Sequence, residues 1–211
     1  KKYSCVEDHF ARVNTAMTRG VPIVKVGVIH PVESFWLHWG PNDKSGLIRE
    51  ELDKNFQDLT KWLLFGSIDF DFISESLLPG LCPHADAPLR VGEMKYDVIV
   101  VPGCETLRSS TLDRLEKFRE DGGRVIFLGE APTLEDAQPS DRGERLFKNS
   151  EHIPYQRASL LTALDASRTV CIRDDDGYLS DGLIYQLRED TDSLWLFVAH
   201  AVEPYDCNIT N

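Results

Sequence analysis

Between Tyr96 and Pro132 a buried strand, a short helix and a second buried strand follow one another, and this stretch constrains the fold more than any other. Tyr96-Asp-Val-Ile-Val-Val-Pro-Gly103 carries apolar residues at successive positions, the pattern of a strand covered on both faces. Ser110 and Asp113 have capping-box spacing at the start of the helix, Leu112, Leu115 and Phe118 mark its buried stripe, and Gly122-Gly123 supplies the stop. Burying three such side chains is worth roughly 1.5–3 kcal/mol each. Arg124-Val-Ile-Phe-Leu-Gly129 then reads as a second strand buried on both faces, which makes the unit βαβ. The turn that follows, Leu128-Gly129-Glu130-Ala131-Pro132, holds neither Cys nor Ser.

The same alternation extends toward the N-terminus. Val6, Phe10, Val13 and Met17 recur at helical spacing, so residues 5–18 read as an amphipathic helix and residues 1–20 as a linker helix. Val21–Ile29 reads as one β-branched strand ended by the pre-proline His30, and Pro31–Ser45 as a long aromatic loop. Ile48, Leu52, Phe56, Leu59 and Leu63 mark a helix closed near Gly66. Ile68–Ile73 is a second strand, and Pro79–Pro88 has loop composition. Short helices are expected around Arg142–Phe147 and Ser159–Leu164. Residues 21–165 thus predict an α/β domain with a parallel sheet and helices on both faces. Over residues 166–211 the texture changes to antiparallel β, with strands at Thr169–Ile172, Leu183–Leu187 and Leu194–Ala199.

A net charge of −12 argues against nucleic acid as a partner, because phosphate binding needs clustered Lys and Arg. No apolar run approaches 18 residues, so no membrane partner is expected. Lys1–Cys5 shows no apolar signal segment, which leans the expected setting toward a soluble, cytoplasmic one. The five cysteines, Cys5, Cys82, Cys104, Cys171 and Cys207, form no CxxC pair and read as reduced thiols, without zinc or a disulfide framework. No GxGxxG or P-loop occurs, and neither cofactor nor metal is expected. Asp174-Asp-Asp-Gly177 puts its glycine too early for a calcium loop and reads as a hairpin turn. Both ends read as cut, and Cys207–Asn211 looks like the start of another strand, so a domain of a larger protein is expected.

In parallel sheets of this kind ligands bind beyond the carboxyl ends of the strands. That rim would carry His30–Trp39, Ser74–Glu75, Gly103–Thr106 and Gly129–Pro132. Cys104 follows a buried strand and precedes a helix, where a thiol pKa can fall, and it is the weak candidate nucleophile; no His follows at triad spacing. His30, Glu33, Trp36 and Trp39 (with His38 between the tryptophans) combine flat apolar faces with directional hydrogen bonds, as sugar sites do. The alternative for the tryptophans is packing or an interface. Asp69 and Asp71 share a strand face with Glu75 just beyond, which is the raw material of a glycosidase acid–base pair or of a metal site. Capping or pairing with Arg is the structural alternative.

The pattern Tyr96-Asp-Val-Ile-Val-Val-Pro-Gly, Leu112, Phe118, Gly122-Gly123-Arg-Val-Ile-Phe resembles the flavodoxin-like, class I glutamine-amidotransferase-like domain of large multidomain bacterial glycoside hydrolases. The nearest named likeness is the trimerisation domain of family 42 β-galactosidases, over roughly residues 21–164. The resemblance implies other domains of the same polypeptide and further copies of the chain as partners, with carbohydrate as a possible ligand. Trp195–Ala199 is similar to the entry strand of the β-sandwich that follows in such enzymes. Where amidotransferases place their nucleophilic Cys, this chain has Gly129 and Glu130, so that catalytic residue has no counterpart. A (β/α)8 barrel needs eight βα units, about 200–250 residues or more, and this chain offers three or four such units. The expectation is a non-catalytic structural or oligomerisation domain of a glycoside hydrolase, lending residues such as His30, Glu33, Trp36 or Glu130 to a neighbouring site. The alternatives are a small amidotransferase- or thiol-hydrolase-like enzyme using Cys104, and a carbohydrate-binding module.

Overall fold

The computed structural model describes residues 3–180 and 182–201. Five parallel strands form the central sheet: β1 (Val26–Ile29), β2 (Phe70–Ile73), β3 (Val98–Pro102), β4 (Arg124–Leu128) and β5 (Glu151–Ile153). Their order is β2-β1-β3-β4-β5. The winding therefore reverses between β1 and β3, which leaves a crevice between the connections that depart to either side.

Helices cover both faces. Leu59 and Leu63 of α3 (Asn42–Phe65), with Leu160 of α6 (Arg157–Ala163), pack on Val26, Val28, Val98, Val100, Ile126 and Leu128. Leu112, Leu115 and Phe118 of α4 (Ser109–Glu120), with Leu146 of α5 (Arg142–Lys148), pack on Ile29, Ile99, Val101, Val125 and Phe127. The alternation of Val98 and Val100 with Ile99 and Val101 between these two clusters is the two-residue period of a strand buried on both sides.

Helix α4 ends as its glycines require. Gly122 has φ +90° and the Gly123 N–H donates to Phe118 O at 2.8 Å, a Schellman closure. Its start differs from expectation. Arg108 occupies the N-cap without a side-chain bond, and the Ser110/Asp113 box does not form. Distant carboxylates serve the free N–H groups instead: Asp136 accepts from Ser109 N at 3.1 Å and Glu75 from Arg108 N at 2.8 Å.

Four other segments depart from the sequence reading. Val21–Ile29 is not one strand: Val21–Pro22 pairs antiparallel with β6 (Leu183–Glu189), Ile23 N still donates to Leu187 O at 2.9 Å, and only from Val26 does the chain enter the central sheet. Strand β7 (Leu194–His200) completes this three-stranded antiparallel sheet. Thr169–Ile172 forms no strand; an isolated bridge joins Arg173 to Leu179. The supposed loop after His30 contains α2 (Val32–Leu37) and the first turn of α3. Pro79–Pro88 includes part of a helical turn, Leu78–Leu81, and leads into a hairpin of Leu89–Val91 and Met94–Tyr96. Helix α1 (Tyr3–Met17) has no buried residue, and its apolar Val6 and Phe10 are exposed. The expected strand at Cys207–Asn211 lies outside the described residues. No described helix is long and apolar enough to cross a membrane.

Phe118 is fully buried, and its ring leaves no room for a side chain on Gly123. Phe118→Ala should lower stability by about 3–5 kcal/mol, read from denaturant unfolding by circular dichroism.

Candidate functional site

At the carboxyl end of the sheet, β3 runs into Gly103 with φ +50° and β4 into Gly129 with φ +93°. The Tyr155 ring lies against both: a methyl on Gly129 would come 3.2 Å from it and one on Gly103 3.5 Å. The Tyr155 hydroxyl donates to Asn55 O on α3 at 2.8 Å, so the ring is fixed from both sides. Burial raises its pKa and the phenol stays neutral. Glu130 sits exposed on the turn beyond β4.

Helix α2 is tied to the 104–108 loop. Ser34 is buried, and its hydroxyl accepts from Glu105 N at 2.9 Å and Thr106 N at 3.2 Å. Glu33 pairs with Arg108 Nε at 2.5 Å, and His38 Nε2 lies 2.6 Å from Glu105 Oε2. The Arg108 backbone N–H is held by the buried Glu75 carboxylate. Burial pushes the Glu75 carboxyl up, and that N–H partly offsets the rise. Glu33, His38 and Glu75 are thus occupied in joining α2 and β2 to the loop after β3. Trp36 and Trp39 point outward, 58% and 71% exposed, with the Arg49 guanidinium over Trp39 at 5.2 Å.

Cys104 lies beneath this tie, 2% exposed, its thiol facing Pro102 O at 3.6 Å. Burial pushes its pKa well above the usual value, and the Glu75 and Glu33 charges add to the rise. A nucleophilic thiol needs the opposite environment, exposed and electropositive. The geometry opposes the expectation of an activated Cys104.

The expected carboxylate group separates. Asp69 and Asp71 lie toward the amino end of β2, away from Glu75 at the rim. Asp71 accepts from the Tyr96 hydroxyl at 2.9 Å. Asp69 accepts from Phe70 N at 3.1 Å, while its other oxygen is buried without a partner among the described residues. Burial, reinforced by the Asp71 charge, pushes the Asp69 carboxyl up to about 6. Among the described residues no three His, Cys, Asp or Glu side chains are grouped to hold a metal ion.

A cleft of about 180 Å³ opens at the winding reversal. His30, Pro102 and Gly103 form its sheet side, α2 contributes Val32 and Phe35, α3 contributes Leu52, Asp53, Asn55 and Phe56, and Tyr155 closes one wall. Of these, only His30 stood out in the sequence. Tyr155 is betrayed by no motif, although two glycines ending adjacent strands hint that a ring must lie on them. Ser34, Arg108 and Asn55 carry no local signal, since their partners are 33 or more residues away.

Two measurements follow from this arrangement. The Asp69 pKa is higher in the folded than in the unfolded chain, so the native state holds the extra proton between about pH 4 and 6, and stability falls as pH rises through that window. Asp69→Asn should therefore stabilise the fold by about 1 kcal/mol at pH 8 after allowance for solvent screening, with the gain vanishing near pH 4 in pH-dependent urea melts. Iodoacetamide should modify the exposed Cys5 and Cys171 in the native protein and spare the buried Cys82 and Cys104, as peptide mass mapping would report. Labelling of native Cys104 as fast as a free thiol would contradict its burial.

No protein-family model matches this chain and no curated protein is significantly similar to it.

Proposed function

We propose that this chain is a non-catalytic scaffold and oligomerisation domain of a multidomain glycoside hydrolase, with a sheet of the flavodoxin-like, amidotransferase-like kind. The strand order β2-β1-β3-β4-β5 supports the fold reading. The glycoside-hydrolase parentage rests on the resemblance of the Tyr96–Phe127 pattern. One observation carries the functional reading: the rim's polar side chains on α2 are bonded inward while its tryptophans face out. Glu33 and His38 are paired, Ser34 is buried, and Trp36, Leu37, Trp39, Leu47 and Ile48 are exposed along α2 and the start of α3. Exposed large apolar residues gathered in one region are characteristic of surfaces that meet another protein surface, and tryptophan is the residue most enriched at the energetic centre of such contacts. The thiol-hydrolase alternative loses support with the burial of Cys104.

Sedimentation velocity tests the reading. The chain should self-associate at micromolar concentration, and Trp36→Ser with Trp39→Ser should leave it monomeric with an unchanged far-ultraviolet circular dichroism spectrum. A wild-type chain that stays monomeric throughout, or that hydrolyses nitrophenyl glycosides by itself, overturns it.

A further inference from the structure

We propose that the cleft between the carboxyl ends of β1 and β3 is a binding site for a neutral polyhydroxylated ring of monosaccharide size. Val32 and Phe35 of helix α2 line the cleft, whereas Glu33, Trp36 and Leu37 line a different hollow beside Arg108. On the other side, Leu47 and Arg49 line an adjoining hollow that shares Phe35 and Asp53 with the cleft, so Trp36 is the part of the tryptophan surface that can be altered without touching it.

Charge selects the ligand class. No Lys or Arg lines the cleft, and the chain carries a net charge of −12, so phosphates and carboxylates find no counter-charge there. The one acidic side chain, Asp53, is exposed and accepts from Gln57 Nε2 at 2.7 Å. His30 lies edge-on to Phe56 at 5.3 Å and to Phe72 at 5.6 Å. Burial lowers its pKa, so the ring is neutral near pH 7.

A neutral imidazole presents one donor and one acceptor, the complement of a hydroxyl, which is both. His30 and Asn55 both line the cleft, and neither ring nitrogen of His30 nor the side-chain amide of Asn55 has a hydrogen-bond partner among the described residues. Phe35, Phe56, Leu52, Pro31 and the Tyr155 ring supply apolar walls for the C–H faces of a sugar or cyclitol.

The test is two-dimensional NMR of the whole chain titrated with D-galactose, L-rhamnose and myo-inositol, and separately with choline and inorganic phosphate. At least one neutral probe should shift the Gly103 amide and His30 imidazole resonances saturably, in the millimolar range. Asn55→Ala and Phe35→Ala should each weaken that response about tenfold with the remaining spectrum unchanged, and Trp36→Ser should leave it intact. Response only to choline or only to phosphate, or none to any neutral probe, overturns the proposal. So does a response that Trp36→Ser removes and Asn55→Ala does not.

Discussion

Water is excluded from both faces of β1, β3 and β4, and the rest of the molecule answers to that exclusion. Val26, Val28, Ile29, Ile99, Val100, Val101, Ile126, Phe127 and Leu128 are all essentially inaccessible. Strands of this kind are stable only where amphipathic helices cover both sides, which is what the stripes of α3 and α4 provide. Polar chemistry is thereby confined to the two ends of the sheet. At each end, backbone groups that leave the ladder need new partners, and carboxylates supply several of them: Glu75 for Arg108, Asp136 for Ser109 and Asp69 for Phe70.

That demand explains why Glu33 and Glu75 are poor candidates for catalysis. A carboxylate that acts on a substrate must keep an accessible oxygen, and glycosidase pairs must also face each other across about 5–10 Å of open space. Glu75 is buried against the loop it anchors, and Glu33 is bound to Arg108. Hydrogen bonds to a charged group contribute roughly 1.5–3 kcal/mol each, which is sufficient to fix a six-residue helix that could not persist in isolation. Removing those acids would loosen α2 before it touched any reaction.

The parts of this fold legible in the sequence are those whose causes are local. Leu112, Leu115 and Phe118 announce α4 because helical spacing and burial coincide, and Gly122-Gly123 ends it because a left-handed residue is needed there. The division of Val21–Ile29 was hidden because it depends on Leu187, far along the chain, capturing Ile23. Helix α2 was hidden for a similar reason: Pro31 and the aromatic run look like loop, and what holds the helix is Ser34 meeting the amides of Glu105 and Thr106. Alternation put Asp69 and Asp71 on one strand face, and the Asp71 charge does raise the Asp69 pKa, but alternation carries no information about which end of the sheet they occupy.

The two sides of β3 differ in what they leave open. Above β3 and β4 the Tyr155 ring rests on Gly103 and Gly129, and the phenol is anchored to Asn55 O. The Cys104 thiol that follows β3 is buried, and burial pushes its pKa well above the usual value. Above β1 and β3 the same ring forms a wall instead of a plug, and a cleft with an unpartnered imidazole remains. One aromatic side chain thus covers the turns after β3 and β4 and shapes the cleft beside them. Recognition of the kind proposed needs open hydrogen-bonding capacity and apolar walls, and the residues lining the β1–β3 cleft offer both.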